Sequence, residues 1–142
     1  MKPKLSVIAK QMLQEGLIED QEFRQLLGSL AKHLISRLGI KEIPQVILIN
    51  NDVQNADDML GRTGFYNHNK KSISLFTYGR HPKDILRTFA HEMIHHKQNQ
   101  DGRLRHQITT QNVNEDEYLK QIEMEAYRDG NLLFREWENG LD

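Results

Sequence analysis

The chain has 142 residues, of which 37% are hydrophobic and 27% are charged. This length suits a single domain with a core of its own, and we expect one unit over residues 1–142. Nineteen basic residues nearly balance twenty acidic ones, which excludes a general electrostatic attraction to nucleic acid or to an anionic membrane. The absence of cysteine excludes disulfides and thiolate metal sites, so a metal must be held by imidazole and carboxylate groups.

The N-terminal segment lacks the pattern of an export signal. MKPKLSVIAKQMLQEGL begins with lysines, but Lys10, Gln11 and Gln14 interrupt its apolar residues, whereas a signal-peptide core is continuous. No apolar run approaches transmembrane length. We therefore expect a cytoplasmic protein without a membrane partner, or one carried in a particle assembled in the cytoplasm.

Two helices are predicted in residues 1–40, where apolar residues recur at helical spacing. Gly16 is predicted to separate them and Gly39 to end the second. We expect these helices to form a layer that covers a sheet, and a cap over a cleft or a partner surface is the alternative.

Two stretches have strand character. The segment 45–50, QVILIN, is rich in β-branched residues and predicts a first strand. The segment 63–76, TGFYNHNKKSISLF, predicts a hairpin with its turn at 67–69. Serine and apolar residues alternate over 72–76, which predicts that the second strand of this hairpin is half exposed.

Two further helices are predicted in the C-terminal half. Pro82 suits a first helical turn, so the first of these helices should span about 82–99, with Gly102 as its stop. The last helix should span 116–138, where one face is apolar. The residues of this stripe are Leu119, Ile122, Ala126, Leu133 and Trp137. Together these elements predict an α+β domain with a small, mostly antiparallel sheet, a helical part over 1–40 and a core over 44–138.

The helix 82–99 contains the sequence HEMIHH. At about 100° per residue, His91 and His95 lie one turn apart on one side of this helix, where their imidazoles can share one zinc ion. Glu92 is displaced around the helix, where its carboxylate can accept a proton from a water on the metal. This is the H-E-x-x-H arrangement of zinc hydrolases. The alternative is a histidine pair that is exposed or satisfied within the fold, and His96 is predicted to be a neighbour rather than a ligand.

A catalytic zinc needs a third protein ligand. Glu123 interrupts the apolar stripe of the last helix, where a carboxylate is costly unless something pairs with it. Glu125, with Asp129, is the alternative on the same helix. Asp101 and His106 are further candidates: Asp101 stands at the metzincin spacing, but Gln98 replaces the glycine that this pattern needs. His106 is similar to the third histidine of SprT-type proteases.

These motifs resemble the gluzincins, zinc peptidases with H-E-x-x-H on one helix and a ligand glutamate on a later one. Glu123 to Ala126 matches the E-x-x-A run of the Ste24-like and ImmA/IrrE-like branches, whereas Glu125 to Asp129 matches the E-A-x-x-D run of the thermolysin branch. The resemblance covers about 64–137, and its order of elements is similar to that of the minigluzincins and of small metallopeptidase-like proteins of tailed phages. It implies a zincin-like fold and a Zn²⁺ cofactor. Tyr127 stands where these relatives often carry Asp or Asn.

The resemblance implies a zinc metallopeptidase that acts on a peptide or protein substrate. Zinc on His91, His95 and Glu123 would activate a water, with Glu92 as general base. The strand 72–76 would pair with the extended substrate. The candidates for stabilising the transition state are Tyr66, Tyr78, His106 and Tyr127.

Other functional classes are an inactive zincin-like binding module and a helical interaction protein without metal. A SprT-like protease with His106 as third ligand is a further alternative. An intact Glu92 argues against the binding module, because pure binding has no use for a general base.

Overall fold

The computed structural model of the chain describes residues 4–15, 20–52, 55, 62–104 and 116–141. Within these residues it is an α+β fold with four helices and a three-stranded sheet, which confirms the predicted class. The elements are α1 Leu5–Glu15, α2 Asp20–Leu38, β1 Gln45–Ile49, β2 Gly64–Asn67, β3 Ser72–Phe76, α3 Pro82–Gln100 and α4 Glu117–Asn139. The predicted break at Gly16 and the third-ligand candidate His106 lie outside the described residues.

Local sequence signals explain where α2 and α3 begin and end. His81 caps α3, since its side chain accepts a hydrogen bond from the Lys83 amide, and Pro82 opens the first turn. Gly39 follows α2 with a φ of 66° and Gly102 follows α3 with a φ of 75°. Both glycines adopt the left-handed conformation that commonly ends a helix, as their positions predict.

The sheet is mixed, so the prediction of a mostly antiparallel sheet was wrong. Its strand order is β1-β3-β2. The hairpin makes β2 antiparallel to β3, but β1 lies on the other side of β3 and runs parallel to it. Strands β1 and β2 therefore lie at opposite edges of the sheet, and a one-dimensional strand pattern does not report this order.

Strand β3 is central and fully buried, which corrects the expectation of a half-exposed strand. Ser72 and Ser74 are each 4% exposed, because their small side chains fit at packed positions between apolar residues. Both edges of β3 are occupied by β1 and β2. An extended substrate therefore cannot add to β3, and that sequence-based expectation was also wrong.

Helix α3 runs through the centre of the core. It packs against α1, α2 and α4 and against strands β2 and β3. Its residues in the core are Ile85, Leu86, Phe89, Ala90 and Met93. Helix α2 packs against α1, α3 and α4 rather than over the sheet, which corrects the expected position of the N-terminal layer.

None of the helices in the described part of the chain combines the length and the apolar composition that a membrane span requires.

Candidate metal centre

Helices α3 and α4 are in close contact at Gly130. A Cβ atom on Gly130 would lie 3.0 Å from the Cα of His91 and 3.1 Å from its backbone nitrogen. A side chain at this position would therefore push α4 away from the helix that carries both histidines. The apolar periodicity of α4 did not single out Gly130; the available signal was a glycine inside an otherwise helical pattern.

Three predicted ligand residues meet across this helix pair. Glu123 Oε1 lies 2.6 Å from His91 Nε2, and Glu123 Oε2 lies 3.3 Å from His95 Nε2. One donor atom from each residue can be chosen so that all three lie within 4.8 Å of one another. Among the residues that the structure describes, this is the one group of three or more His, Asp or Glu side chains close enough to share an ion.

The pair of histidines does not lie on an exposed face of α3, although helical periodicity places it opposite the apolar residues. Helix α4 covers this side, so the His95 side chain is only 4% exposed and the His91 side chain 14%. The two rings meet edge to face, with 4.9 Å between their centroids. The donor nitrogens are therefore shielded from most of the solvent.

Glu92 lies at the edge of this cluster. Its Oε1 atom is 3.9 Å from His91 Nε2, and the residue is 6% exposed. Burial raises the pKa of Glu92, in opposition to the nearby His95 and His91, and the negative charge of Glu123 raises it further. A carboxylate with a raised pKa is suited to accepting and releasing a proton near neutral pH.

The electrostatics of the metal-free cluster favour an anionic Glu123. Burial acts to raise its pKa, but hydrogen bonds and charge from His91 and His95 outweigh this effect and lower the pKa to about 2. Burial also opposes protonation of His95, yet its hydrogen bond to Glu123 and the charge of Glu92 leave the pKa of His95 raised. The contacts of Glu123 with His91 and His95 thus hold the three side chains together.

The Nδ1 atoms of the two imidazoles, which point away from Glu123, have different surroundings. His95 Nδ1 lies 2.8 Å from Oε1 of Gln98, which is fully buried. His91 Nδ1 is buried with no hydrogen-bond partner in the described parts of the chain. The ring of Tyr127 packs against the His91 ring instead, with centroids 4.3 Å apart and planes tilted by 54°.

Tyr127 occupies the position where the gluzincin resemblance leads one to expect a polar partner. The residue is 61% exposed, so it lies at the solvent side of the cluster while its ring contacts His91. Burial of the phenol, followed by the charges of Glu123 and Glu92, raises its pKa. The hydroxyl therefore stays protonated at neutral pH and can donate a hydrogen bond.

The structure does not bring Glu125 and Asp129, the alternative pair on α4, into the cluster. Both carboxylate oxygens of Glu125 accept hydrogen bonds from Arg103, at 2.7 and 2.8 Å. Asp129 accepts a hydrogen bond from Arg128 at 2.9 Å. These two residues face cations of the protein rather than the two histidines.

His96, the other histidine of the HEMIHH sequence, is hydrogen-bonded within the fold. His96 Nε2 lies 2.6 Å from the carbonyl oxygen of Glu42, and His96 Nδ1 lies 2.8 Å from the Tyr66 hydroxyl. Because a carbonyl only accepts, Nε2 carries the proton and Nδ1 accepts from Tyr66. Asn99 donates to the same hydroxyl at 2.9 Å, so this network ties α3 to β2 and the loop before β1.

The remaining sequence candidates lie elsewhere. Asp101 caps the C-terminus of α3 and pairs with Lys97 at 3.1 Å. Tyr78 is 46% exposed in the loop before α3. Neither residue belongs to the cluster of His91, His95 and Glu123.

The chemistry of the cluster fits a zinc ion. Two imidazole nitrogens and one carboxylate form a donor set found in catalytic zinc sites. When His95 is neutral with its proton on Nδ1, its Nε2 lone pair faces a carboxylate oxygen 3.3 Å away. Two electron-rich atoms at this distance repel each other, and a divalent ion between them would serve all three donors.

No known family model matches this chain. No curated protein and no solved structure matches it either.

Proposed function

We propose that this protein is a zinc-dependent metallopeptidase with His91, His95 and Glu123 as metal ligands and Glu92 as the general base. The observation that carries the proposal is the meeting of these four side chains across two helices: three donors lie within reach of one ion, and a buried carboxylate lies at their edge. The gluzincin-like order of H-E-x-x-H and a later glutamate supports the same reaction class.

In the proposed hydrolysis, each residue of the site has a separate role. Zinc, when bound, would polarise a carbonyl and lower the pKa of water, which makes a nucleophile available at neutral pH. Glu92 then takes the proton of the attacking water and delivers it to the leaving amine, since its raised pKa suits both transfers. Burial of His95 and Glu92 excludes bulk water that would weaken these interactions.

Tyr127 is our proposed hydrogen-bond donor to the developing oxyanion. Four residues were predicted as candidates for this donor. The Tyr66 hydroxyl is hydrogen-bonded to His96, and Tyr78 lies in the loop before α3. His106 lies outside the described residues. Tyr127 contacts a proposed ligand and lies on the open side of the cluster. A donor at such a position stabilises charge that exists only in the transition state.

The test combines metal analysis with peptide cleavage. We expect the wild-type chain to bind about one zinc ion and to cleave an unstructured protein or a peptide library. His91→Ala should lose the zinc, because two ligands hold it far more weakly than three. Glu92→Gln should keep the zinc but lose about 10²–10⁴-fold in cleavage rate, because it cannot accept the proton.

The matched control is His33→Ala, which removes a histidine that lies beside Glu136 and does not belong to the cluster. This variant should retain both zinc and activity. Zinc binding without cleavage by the wild-type chain would favour an inactive binding module. A folded wild-type chain without zinc affinity would contradict the metal site itself.

A further inference from the structure

Gln98 is a fully buried amide in the interface between α3 and α4. Its Nε2 atom donates to the carbonyl oxygen of Ile122 at 3.0 Å. A carbonyl oxygen can only accept, so this contact fixes the orientation of the amide and places Oε1 toward His95.

The amide orientation determines the proton position on His95. Gln98 Oε1 lies 2.8 Å from His95 Nδ1, and an amide oxygen can only accept a hydrogen bond. His95 must therefore carry a proton on Nδ1. In the neutral imidazole this leaves the lone pair on Nε2, the atom that lies 3.3 Å from Glu123.

The same amide connects His95 to the helix that carries the third ligand. Ile122, which accepts from Gln98, directly precedes Glu123. Two hydrogen bonds from Arg103, at 2.7 and 2.8 Å, and the nearby Gln98 amide lower the pKa of Glu125.

We propose that Gln98 is a positioning residue, which holds His95 in the tautomer with its Nε2 lone pair directed at the metal and couples that imidazole to the position of Glu123. This inference rests on the proposed zinc site. It assigns a role to the side chain that stands where the metzincin pattern has glycine. Partners that orient metal-binding histidines commonly change metal affinity by about 10- to 100-fold when they are removed.

The first experiment measures the wild-type chain without metal. Nitrogen NMR of His95, at a pH where the imidazole is neutral, reports which ring nitrogen carries the proton. We expect the Nδ1–H tautomer to dominate. Dominance of the Nε2–H tautomer would overturn the proposal without requiring any variant to fold.

The second experiment compares two matched variants by zinc competition with a chelator. Gln98→Met replaces the amide by an apolar chain of similar length, and we expect about 10- to 100-fold weaker zinc binding with a mixed His95 tautomer. Gln100→Met makes the same change two residues later, where the amide instead hydrogen-bonds the Lys41 amide and the Gly39 carbonyl. Its zinc affinity and His95 tautomer should match the wild type.

The outcomes separate this inference from the proposed function. A folded Gln98→Met chain with wild-type zinc affinity and an unchanged His95 tautomer would overturn the role of Gln98 while leaving the metal site intact. A wild-type chain that binds no zinc would contradict both, since Gln98 would then have no metal ligand to position.

Discussion

Glu123 and Glu125 lie two positions apart on α4, but their carboxylates contact different side chains. Glu123 faces two imidazoles, at 2.6 and 3.3 Å, whereas Glu125 faces the guanidinium of Arg103. A carboxylate already held by two charge-assisted hydrogen bonds is a poor candidate for a metal ligand, because its cation partner would have to be given up. The chemical role open to each glutamate thus depends on the side chain that the fold places beside it.

At the same scale, Tyr127→Phe tests the proposed transition-state donor. The substitution keeps the ring against His91 and removes only the hydroxyl. We expect zinc affinity to stay unchanged and kcat to fall by about 10²-fold, measured by peptide cleavage with the zinc content of each sample determined in parallel.

Tyr78→Phe is the matched control, since it removes a hydroxyl from another of the tyrosine candidates. Its kcat should equal that of the wild type. Loss of activity in Tyr78→Phe with full activity in Tyr127→Phe would reverse the assignment of the oxyanion donor.

At the scale of elements, the site depends on how closely α4 can approach α3. Gly130 lies seven residues after Glu123, so the contact at His91 and the carboxylate lie on one side of α4, two turns apart. Tyr127 fills the turn between them and packs on the His91 ring. The spacing of Glu123, Tyr127 and Gly130 therefore lets one helix contact place the Glu123 carboxylate beside His91 and His95.

Gly130→Ala should weaken this arrangement. The new methyl would meet His91 backbone atoms at 3.0 and 3.1 Å, and backbone cannot rotate away as a side chain can. We expect the free energy of unfolding to fall by about 1–3 kcal/mol, measured by urea denaturation, together with weaker zinc binding.

Gly28→Ala is the control for the intrinsic effect of adding a methyl group. Gly28 lies in α2, and a Cβ there would meet nothing within 4 Å. This variant should gain about 0.5–1 kcal/mol because alanine favours the helix. Equal stabilisation of both variants would mean that Gly130 does not determine the helix spacing.

At the scale of the whole molecule, α2 and α4 are joined through Glu136 and Trp137. Arg37 Nε donates to Glu136 Oε1 at 2.6 Å, and the Trp137 indole donates to Ser29 at 2.9 Å. These contacts hold α2 against α4, and both helices also pack against α3. Stability of the site helices is thereby linked to the first forty residues, which carry no site residue themselves.

This link predicts a pH-dependent contribution to stability. The hydrogen bond and charge of Arg37, with His33 nearby, lower the pKa of Glu136. The folded-state pKa lies below the unfolded one, so the contribution is present above the ordinary pKa of a glutamate, about 4.3, and is lost as the pH falls through the folded-state value. We therefore expect Glu136→Gln to be less stable than the wild type at pH 7, with a difference that shrinks toward pH 3.

Urea denaturation across that pH range is the measurement. Glu117→Gln is the control on the same helix, because the Glu117 side chain is 85% exposed and pairs with Lys120 of its own helix. Its curve should follow the wild type. A constant difference between Glu136→Gln and the wild type at all pH values would contradict the role of the carboxylate charge.

The sequence by itself determined the helices, their ends and the two imidazoles one turn apart. Helical periodicity, a proline at the first turn and glycines at the stops are local signals, and they act between residues close in the chain. They correctly indicated α2, α3 and α4, and they placed Glu123 on the apolar stripe where the structure has it. The same local signals misjudged β3, because alternation reports the two faces of a strand and not what covers each face.

Only the tertiary structure decided which side chains meet. The parallel pairing of β1 with β3, the choice of Glu123 over Glu125 beside the histidines, and the placement of Gln98 between His95 and Ile122 all depend on contacts between residues far apart in sequence. Such contacts are set by how whole elements pack. A difference of two positions along one helix is enough to exchange a carboxylate beside two histidines for one that binds arginine. The pattern of residues along the chain does not contain the spatial distance between residues that are far apart in sequence.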